Sequence, residues 1–249
     1  MNSILIVATF AYLISAILGT LKNSHPRNII ILSVIGIIFQ ITAIVLKGDK
    51  IGFLPFASQF DSMVLFGLSI QISGFILFVK SRYKSVKLIS DIFTIIIITA
   101  ALVFVKQQDM NLMNPMLDSQ YFAYHILLAF FGYGVYFCGL TWSIASIFDK
   151  KVRDNLIIPL KLAYSGLFLL GAGILIGAIW ADNSWGTYWS WDPKESWALV
   201  TWLILMLYVH IYPAIKRVWL TRLFYSLAII VILFTFIGIR LFHLGLHSY

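Results

Sequence analysis

Long apolar stretches separated by short polar linkers dominate the sequence. Runs of roughly 18 or more apolar residues with few charges are typical of membrane-spanning segments. Eight such runs occur, at about 3–20, 28–46, 61–79, 88–105, 120–148, 159–180, 196–215 and 220–240. They are too long for the strands of a membrane barrel, and the lipid core otherwise admits only helices. The pattern predicts an all-α fold: a polytopic bundle of about eight transmembrane helices in one integral-membrane domain, residues 1–249.

The composition supports this prediction. The chain is 61% hydrophobic and 11% charged, whereas soluble domains average roughly 45–50% apolar and about 25% charged residues. Membrane lipid is therefore its expected surrounding. The first residues carry neither a basic region nor a cleavage-site pattern, so the first apolar run is predicted to be a retained span.

The net charge of +8 follows from the linkers and does not indicate a nucleic-acid partner. Thirteen of the 18 Lys and Arg residues lie in alternate linkers, at 21–27, 80–87, 149–161 and 216–222. The positive-inside rule places these linkers in the cytoplasm or stroma. Both termini are then predicted to be external, as is the linker between spans six and seven.

That external linker is unusually rich in tryptophan. Six of the eight tryptophans lie between Trp180 and Trp202, and indoles favour the boundary between apolar and aqueous surroundings. We call residues 185–197 the tryptophan segment and predict an external loop over 181–195. At its end, Asp192 suits an N-cap, Pro193 the first helical position and Glu195 the third, which together predict a capping box.

Histidines are the candidate ligands. His125 lies one to two turns inside span five from the external side, among aromatic residues, and a ligand role is favoured. His210 lies roughly 27 Å into span seven, near the cytoplasmic side, where an interfacial or a ligand role is equally compatible with the sequence. His243 and His247 follow the last span on the external side and are either solvated or metal-binding.

Two acidic residues lie near the ends of spans. Asp61 begins span three, either as favourable helix-end charge or as a polar anchor at the external surface. Asp91 lies a turn inside span four, where we expect it to pair with Lys87 rather than to mark a proton route.

These residue types together favour heme chemistry. Imidazole pairs are axial ligands of heme iron, flat aromatic rings suit a porphyrin, and a helix N-terminus with Lys194 suits its propionates. His125 and His247 could hold one iron, with His210 at a separate site. Cys138 is the only cysteine, so a zinc site is less expected and no C-x-x-C-H heme attachment motif is present.

The tryptophan segment resembles the WWD signature of the heme-handling superfamily. The ending Asp192-Pro193-Lys194-Glu195 is similar to the CcsA (ResC) branch, the membrane component of the system II cytochrome c synthase. The resemblance covers essentially the whole chain. Residues 121–125, 208–210 and 245–249 match the family's three histidine segments, and 52–62 matches its Pro…Glu-Ser segment, with Asp61 where Glu is usual. His243 has no counterpart.

The resemblance implies a heme-handling subunit of a cytochrome c synthase, or heme lyase. Heme b would be received in the membrane and presented for attachment to the C-x-x-C-H motif of apocytochrome c. A separate CcsB (ResB) partner and a thiol-reducing, thioredoxin-like protein are expected. The membrane would be the bacterial cytoplasmic membrane or, alternatively, the plastid thylakoid.

The resemblance also implies roles for individual residues. His125, His247 and His210 would be heme ligands. Independently of the resemblance, the positive charges of Lys194 and Arg240 make them candidates for contacts with the propionates. The heme platform would comprise Trp185, Tyr188, Trp189, Trp191, Asp192 and Trp197.

Three other functions remain open at this stage. One is a CcmC-like chaperone that passes heme to a carrier, against which the Asp-Pro-Lys-Glu ending and the eight spans argue. Another is a heme-sensing or structural membrane subunit without transfer activity. The third is a small-solute transporter with an interfacial aromatic belt, but a belt would place tryptophans at both interfaces.

Overall fold

The predicted all-α class is confirmed. A computed structural model describes residues 1–21, 23–56, 58–105 and 118–238, and this part of the chain is helical without strands. Eight helical stretches are long and apolar enough to cross a membrane, as the hydropathy pattern predicts. The elements are α1 (Asn2–Thr20), α2 (Pro26–Ile51), α3 (Gln59–Ser81), α4 (Lys84–Phe104), α5 (Gln120–Phe148), α6 (Lys150–Asp154), α7 (Ile157–Trp185), α8 (Pro193–Ile215), α9 (Val218–Leu233) and a π-helical turn (Phe234–Gly238).

The chain forms two compact units, Met1–Asn114 and Pro115–Tyr249. In the first unit, α1 packs against α2 and α4, and α3 packs against the same two helices. In the second unit, α5 packs against α7 and α9, and α8 packs against the same two. Each unit is therefore a small helical bundle with an interior of its own.

The interior of the first unit contains charged side chains. Lys87 and Asp91 form a buried ion pair one turn apart on α4, which confirms their predicted pairing. The Ser15 hydroxyl of α1 donates to Asp91 Oδ2 at 2.8 Å. A second buried pair joins Lys47 Nζ of α2 to Asp61 Oδ1 of α3 at 2.6 Å. Each of the two carboxylates thus contacts a lysine and a serine hydroxyl inside the helix bundle.

The interior of the second unit is built from aromatic rings packed over glycines. A Cβ added at Gly139 of α5 would lie 1.9 Å from the Tyr225 ring, and one at Gly166 of α7 would lie 2.1 Å from the Tyr136 ring. The Tyr225 hydroxyl donates to the Pro159 carbonyl at 2.6 Å. Hydrogen in place of a side chain lets these rings approach the helix backbones directly.

One predicted boundary is wrong. The expected loop over 181–195 is shorter, because α7 continues to Trp185 and α8 already begins at Pro193. Gly186, at φ 80°, ends α7 in the left-handed conformation that glycine adopts without steric penalty. Its N–H donates to the Asp182 carbonyl at 2.8 Å. The polar residues 182–184 thus form a last helical turn that extends beyond the apolar run.

Candidate functional site

His125 lies on α5 against a glycine-lined part of α7. A Cβ added at Gly177 would lie 2.4 Å from His125 Nδ1, so only glycine leaves room for the imidazole. His125 Nδ1 lies 2.7 Å from the Gly173 carbonyl oxygen. Glycines four residues apart on α7 therefore fix both the position and the orientation of this ring.

The contact with Gly173 also determines the tautomer of His125. A carbonyl oxygen can only accept, so Nδ1 carries the proton and donates it. The lone pair of the neutral imidazole then resides on Nε2. A histidine held in this way by a backbone carbonyl has the arrangement typical of metal-ligating histidines.

The His125 ring is stacked on an aromatic group at the end of α7. Its plane is 7° from that of Trp180, with ring centroids 6.3 Å apart. Trp180 is 2% exposed and packs edge-on against Trp185, with centroids 5.0 Å apart. The structure thereby brings the predicted ligand His125 and the predicted platform residue Trp185 to one end of the second unit.

The predicted capping box at the start of α8 is confirmed. The Lys194 N–H donates to Asp192 Oδ1 at 2.8 Å, and the Glu195 carboxylate accepts from the Asp192 N–H at 3.3 Å. Glu195 also accepts from the Ser190 N–H at 3.0 Å. These bonds anchor the second half of the linker to the first turn of α8.

Two aromatic side chains of the linker are open to the surroundings. Trp191 is 71% exposed and Tyr188 is 61% exposed. Trp191 adopts a left-handed backbone conformation with φ 59°, which is unfavourable for a bulky residue. Hydrogen bonding to Asp182 and the negative charge of that carboxylate raise the pKa of Tyr188.

Trp189 has a buried polar atom. Its ring packs edge-on against Trp191, with centroids 5.7 Å apart. Its indole N–H is buried and contacts no acceptor among the residues that the structure describes. Such unpaired buried donors are rare in folded proteins, so this N–H is a candidate donor to a bound polar group.

Trp197 does not lie in the linker. It belongs to the first turns of α8 and packs on Phe234 of the π-helical turn, with centroids 4.8 Å apart. Phe236 of the same turn contacts Phe130 and Tyr133 of α5. An aromatic cluster thus connects α8, the end of α9 and α5.

His210 is separate from this group. It is exposed on α8, and its Nδ1 lies 2.8 Å from the Met206 carbonyl oxygen. That contact again places the proton on Nδ1 and the lone pair on Nε2. Seventeen residues of helix separate His210 from Pro193, which corresponds to roughly 25 Å along the axis.

The remaining predicted site residues lie elsewhere in the chain. Asp61 belongs to the first unit, where it pairs with Lys47 and accepts from the Ser58 hydroxyl at 2.5 Å. His243, His247 and Arg240 lie outside the described residues.

Sequence reasoning missed several partners of the predicted site. The predicted site does not include Gly173 and Gly177, which hold His125, Trp180, which stacks on it, or Phe234, which packs on Trp197. The spacing of the two glycines, one turn apart and facing a histidine-bearing helix, is the signal that could have identified the contact.

Comparisons with known proteins cover most of the chain. A sequence model of the family described as "Cytochrome C assembly protein" matches residues 56–247. The cytochrome c biogenesis protein CcsA of Oenothera argillicola is 28% identical over 271 residues, covering 87% of this chain and 84% of its own. That of Pelargonium hortorum is 24% identical, with 95% and 89% coverage. That of Prochlorococcus marinus (strain AS9601) is 27% identical, with 80% and 76% coverage. The predicted CcsA-type resemblance is confirmed.

Proposed function

Because the chain belongs to the cytochrome c assembly protein family, we propose that it receives heme b in the membrane and presents it at an external site for attachment to apocytochrome c. The observation that carries this proposal is the His125 imidazole, which is held by the Gly173 carbonyl and stacked on Trp180. This is a preoriented ligand beside the tryptophan segment.

His125 is one axial ligand of the presented heme. Its protonated Nδ1 leaves Nε2 to coordinate iron, and the carbonyl contact increases the basicity of the ring. His247 is the second axial ligand in this proposal, as the resemblance implies. Two neutral imidazoles on opposite faces would give a six-coordinate, low-spin iron.

The linker supplies the surroundings of the porphyrin. The exposed rings of Tyr188 and Trp191 offer apolar surface, and the buried Trp189 N–H offers a donor to a propionate. The start of α8, with Lys194, adds positive charge for the same groups, and Arg240 is proposed to contact them as well. Asp192 acts by fixing where α8 begins.

His210 is the ligand of a separate site where heme enters. The imidazole of His210 is exposed on the surface of α8, so an iron ligand from another protein can approach a heme bound there. A CcsB (ResB)-type membrane partner is proposed to supply the iron ligand opposite His210.

Heme then moves from His210 to His125, and a thioredoxin-like protein keeps the apocytochrome cysteines reduced. The membrane is the bacterial cytoplasmic membrane or the thylakoid.

The test is the absorption spectrum of the purified full-length protein after expression with heme. His125→Ala should abolish bis-imidazole absorption at the external site, and added imidazole should restore it by replacing the missing ligand. His25→Ala is the matched control, because His25 only caps α2 by accepting from the Arg27 N–H. A bis-imidazole spectrum unchanged by His125→Ala would refute the external site. Normal total heme loading in His210→Ala would refute the entry site.

A further inference from the structure

Helix α2 buries polar residues and exposes apolar ones. Its buried face carries Ser33, Gln40 and Lys47 at every seventh position, whereas Ile38 is 56% exposed and Val45 is 52% exposed. In lipid, polar side chains inside a bundle are costly and commonly mark a route for ions or protons. This stripe therefore requires an explanation beyond helix packing.

The Ser33 end of this polar stripe lies near the Lys87–Asp91 pair. Ser15 Oγ donates to Asp91 Oδ2 at 2.8 Å and lies 3.5 Å from Ser33 Oγ. Asp91 and Ser15 are fully buried, and Lys87 is 1% exposed. A carboxylate at this end is thus linked by hydroxyl groups to the first polar position of α2.

All four helices of the unit contribute polar groups near the middle of α2. The Tyr12 hydroxyl donates to Gln40 Oε1 at 2.8 Å. The Thr94 hydroxyl lies 3.4 Å from Gln71 Oε1 and 3.5 Å from the Gly67 carbonyl oxygen. Gly67 also borders Gln40, because a Cβ added there would lie 3.4 Å from Gln40 Nε2. We call Tyr12, Gln40, Gln71 and Thr94 the central polar cluster.

The central polar cluster contains a donor that indicates internal water. Gln71 is fully buried, and its Nε2 has no acceptor within the described part of the chain. Internal waters occupy polar positions of this kind, where they bond to otherwise unsatisfied groups. A water at Gln71 would add its O–H groups to the side-chain hydroxyls along which a proton can move.

The other end of the stripe is the Lys47–Asp61 pair, which Ser58 also contacts. From Ser33 to Lys47, 14 residues of helix span roughly 21 Å, most of a bilayer core. Ala43 lies between Gln40 and Lys47 on the buried face of α2 and belongs to an apolar cluster with Leu5, Phe60 and Val64, which we call the apolar layer. Polar groups thus lie at both ends and in the middle of the stripe, and the apolar residues around Ala43 separate the middle from the Lys47 end.

We propose that the first unit contains a proton pathway, with Asp91 and Asp61 as its proton-binding ends and the apolar layer as its barrier. A proton from one aqueous side forms an O–H bond with the Asp91 carboxylate. It moves on through the hydroxyl groups of Ser15, Tyr12 and Thr94 and through bound water, each of which releases one proton as it accepts another, while the Gln40 and Gln71 amides orient these groups. Transient water then carries the proton across the apolar layer to the Asp61 carboxylate. The proton leaves from Asp61, and nothing is oxidised or reduced. A transmembrane difference in pH or potential drives the transfer.

Purified full-length protein in lipid vesicles, with an internal pH dye and an imposed potassium diffusion potential, tests this pathway. The wild type should acidify or alkalinise the vesicle interior faster than empty vesicles do. Asp91→Asn and Gln40→Leu should return the rate to that of empty vesicles. Ser143→Ala, which removes a hydroxyl bonded only within α5, should leave the rate at the wild-type value.

Two further variants separate conduction from folding. Lys87→Met/Asp91→Leu removes both charges together, which commonly preserves or raises stability, and should still abolish the flux. Ala43→Ser adds a hydroxyl within the apolar layer and should raise the flux above wild type, which misfolding could not explain. A wild-type rate equal to that of empty vesicles, or equal rates in wild type and the double variant, would overturn the proposal.

Discussion

The two units of the chain bury different kinds of side chain. In the first unit, two Lys–Asp pairs and a set of hydroxyl and amide groups lie among α1–α4. In the second unit, rings of tyrosine, histidine and tryptophan lie against glycines of α5 and α7. Close ring-on-glycine packing occurs in both interiors, because Tyr12 also packs over Gly36 in the first unit, but buried Lys–Asp pairs occur among the described residues of the first unit. The first should therefore be sensitive to the loss of a charged partner, and the glycines under aromatic rings in the second to the addition of an atom.

Removal of one charge from the first unit should have the largest effect. Lys87→Met would leave the Asp91 carboxylate buried without its cation, lowering the free energy of unfolding by about 3–5 kcal/mol. Thermal unfolding in detergent, followed by circular dichroism, measures the change. The double variant Lys87→Met/Asp91→Leu should recover most of the loss. Equal destabilisation by the single and double variants would contradict the role assigned to charge.

Addition of one methyl group to the second unit should have the next largest effect. In Gly139→Ala, the new Cβ would lie 1.9 Å from Tyr225, and such overpacking costs about 1–3 kcal/mol. Gly19→Ala in α1 is the matched control, because its nearest neighbour, Leu88 Cβ, lies at an ordinary 3.5 Å. The same unfolding experiment should show little change for Gly19→Ala. Similar losses in both variants would show that the close contact between Gly139 and the Tyr225 ring does not limit packing.

Removal of a helix-capping side chain should lower the free energy of unfolding by less than the two changes above. Asp192→Ala removes the side-chain acceptor at the start of α8 and should cost about 0.5–2 kcal/mol of unfolding free energy, whereas Asp192→Asn should retain most of it. Ser58→Ala removes the corresponding acceptor of α3 and also a donor to Asp61. Unfolding midpoints should therefore fall more for Ser58→Ala than for Asp192→Ala. The reverse order would argue against coupling between that cap and the ion pair.

The smallest effect is electrostatic and confined to the linker. Because the Asp182 carboxylate raises the pKa of Tyr188, Asp182→Asn should lower that pKa toward its ordinary value. Tyr188 would then ionise at a lower pH than in the wild type. Ultraviolet absorbance of the phenolate, titrated with alkali, measures this shift, and Tyr188→Phe identifies the signal. An unchanged titration would exclude the Tyr188–Asp182 interaction.

Much of the fold follows from local sequence patterns. Apolar length alone predicts the eight spans, and residues three or four positions apart predict the Lys87–Asp91 pair and the capping box at Asp192. Each of these features depends on neighbours within one or two helical turns. Such neighbours are visible in the sequence because helix geometry fixes their spacing.

Features that depend on two helices were less predictable. Lys47 falls just beyond the predicted span at 28–46, although it lies within α2 and pairs with Asp61 of α3. The fit of His125 to Gly177 required knowledge of which helices pack together. The extension of α7 to Trp185 was missed because its last turn is polar and resembles a loop. Hydropathy identifies the apolar part of a helix, not the residue at which its hydrogen bonds end.

The backbone of Trp191 has a consequence for how this chain can change by mutation. A non-glycine residue in the left-handed region costs roughly 1–2 kcal/mol, and Trp191 occupies that region while most of its ring is exposed. Glycine would relieve the backbone and remove an exposed indole, so selection for stability alone would favour that replacement. If Trp191 contacts heme as proposed above, stabilising screens that ignore heme should replace it early.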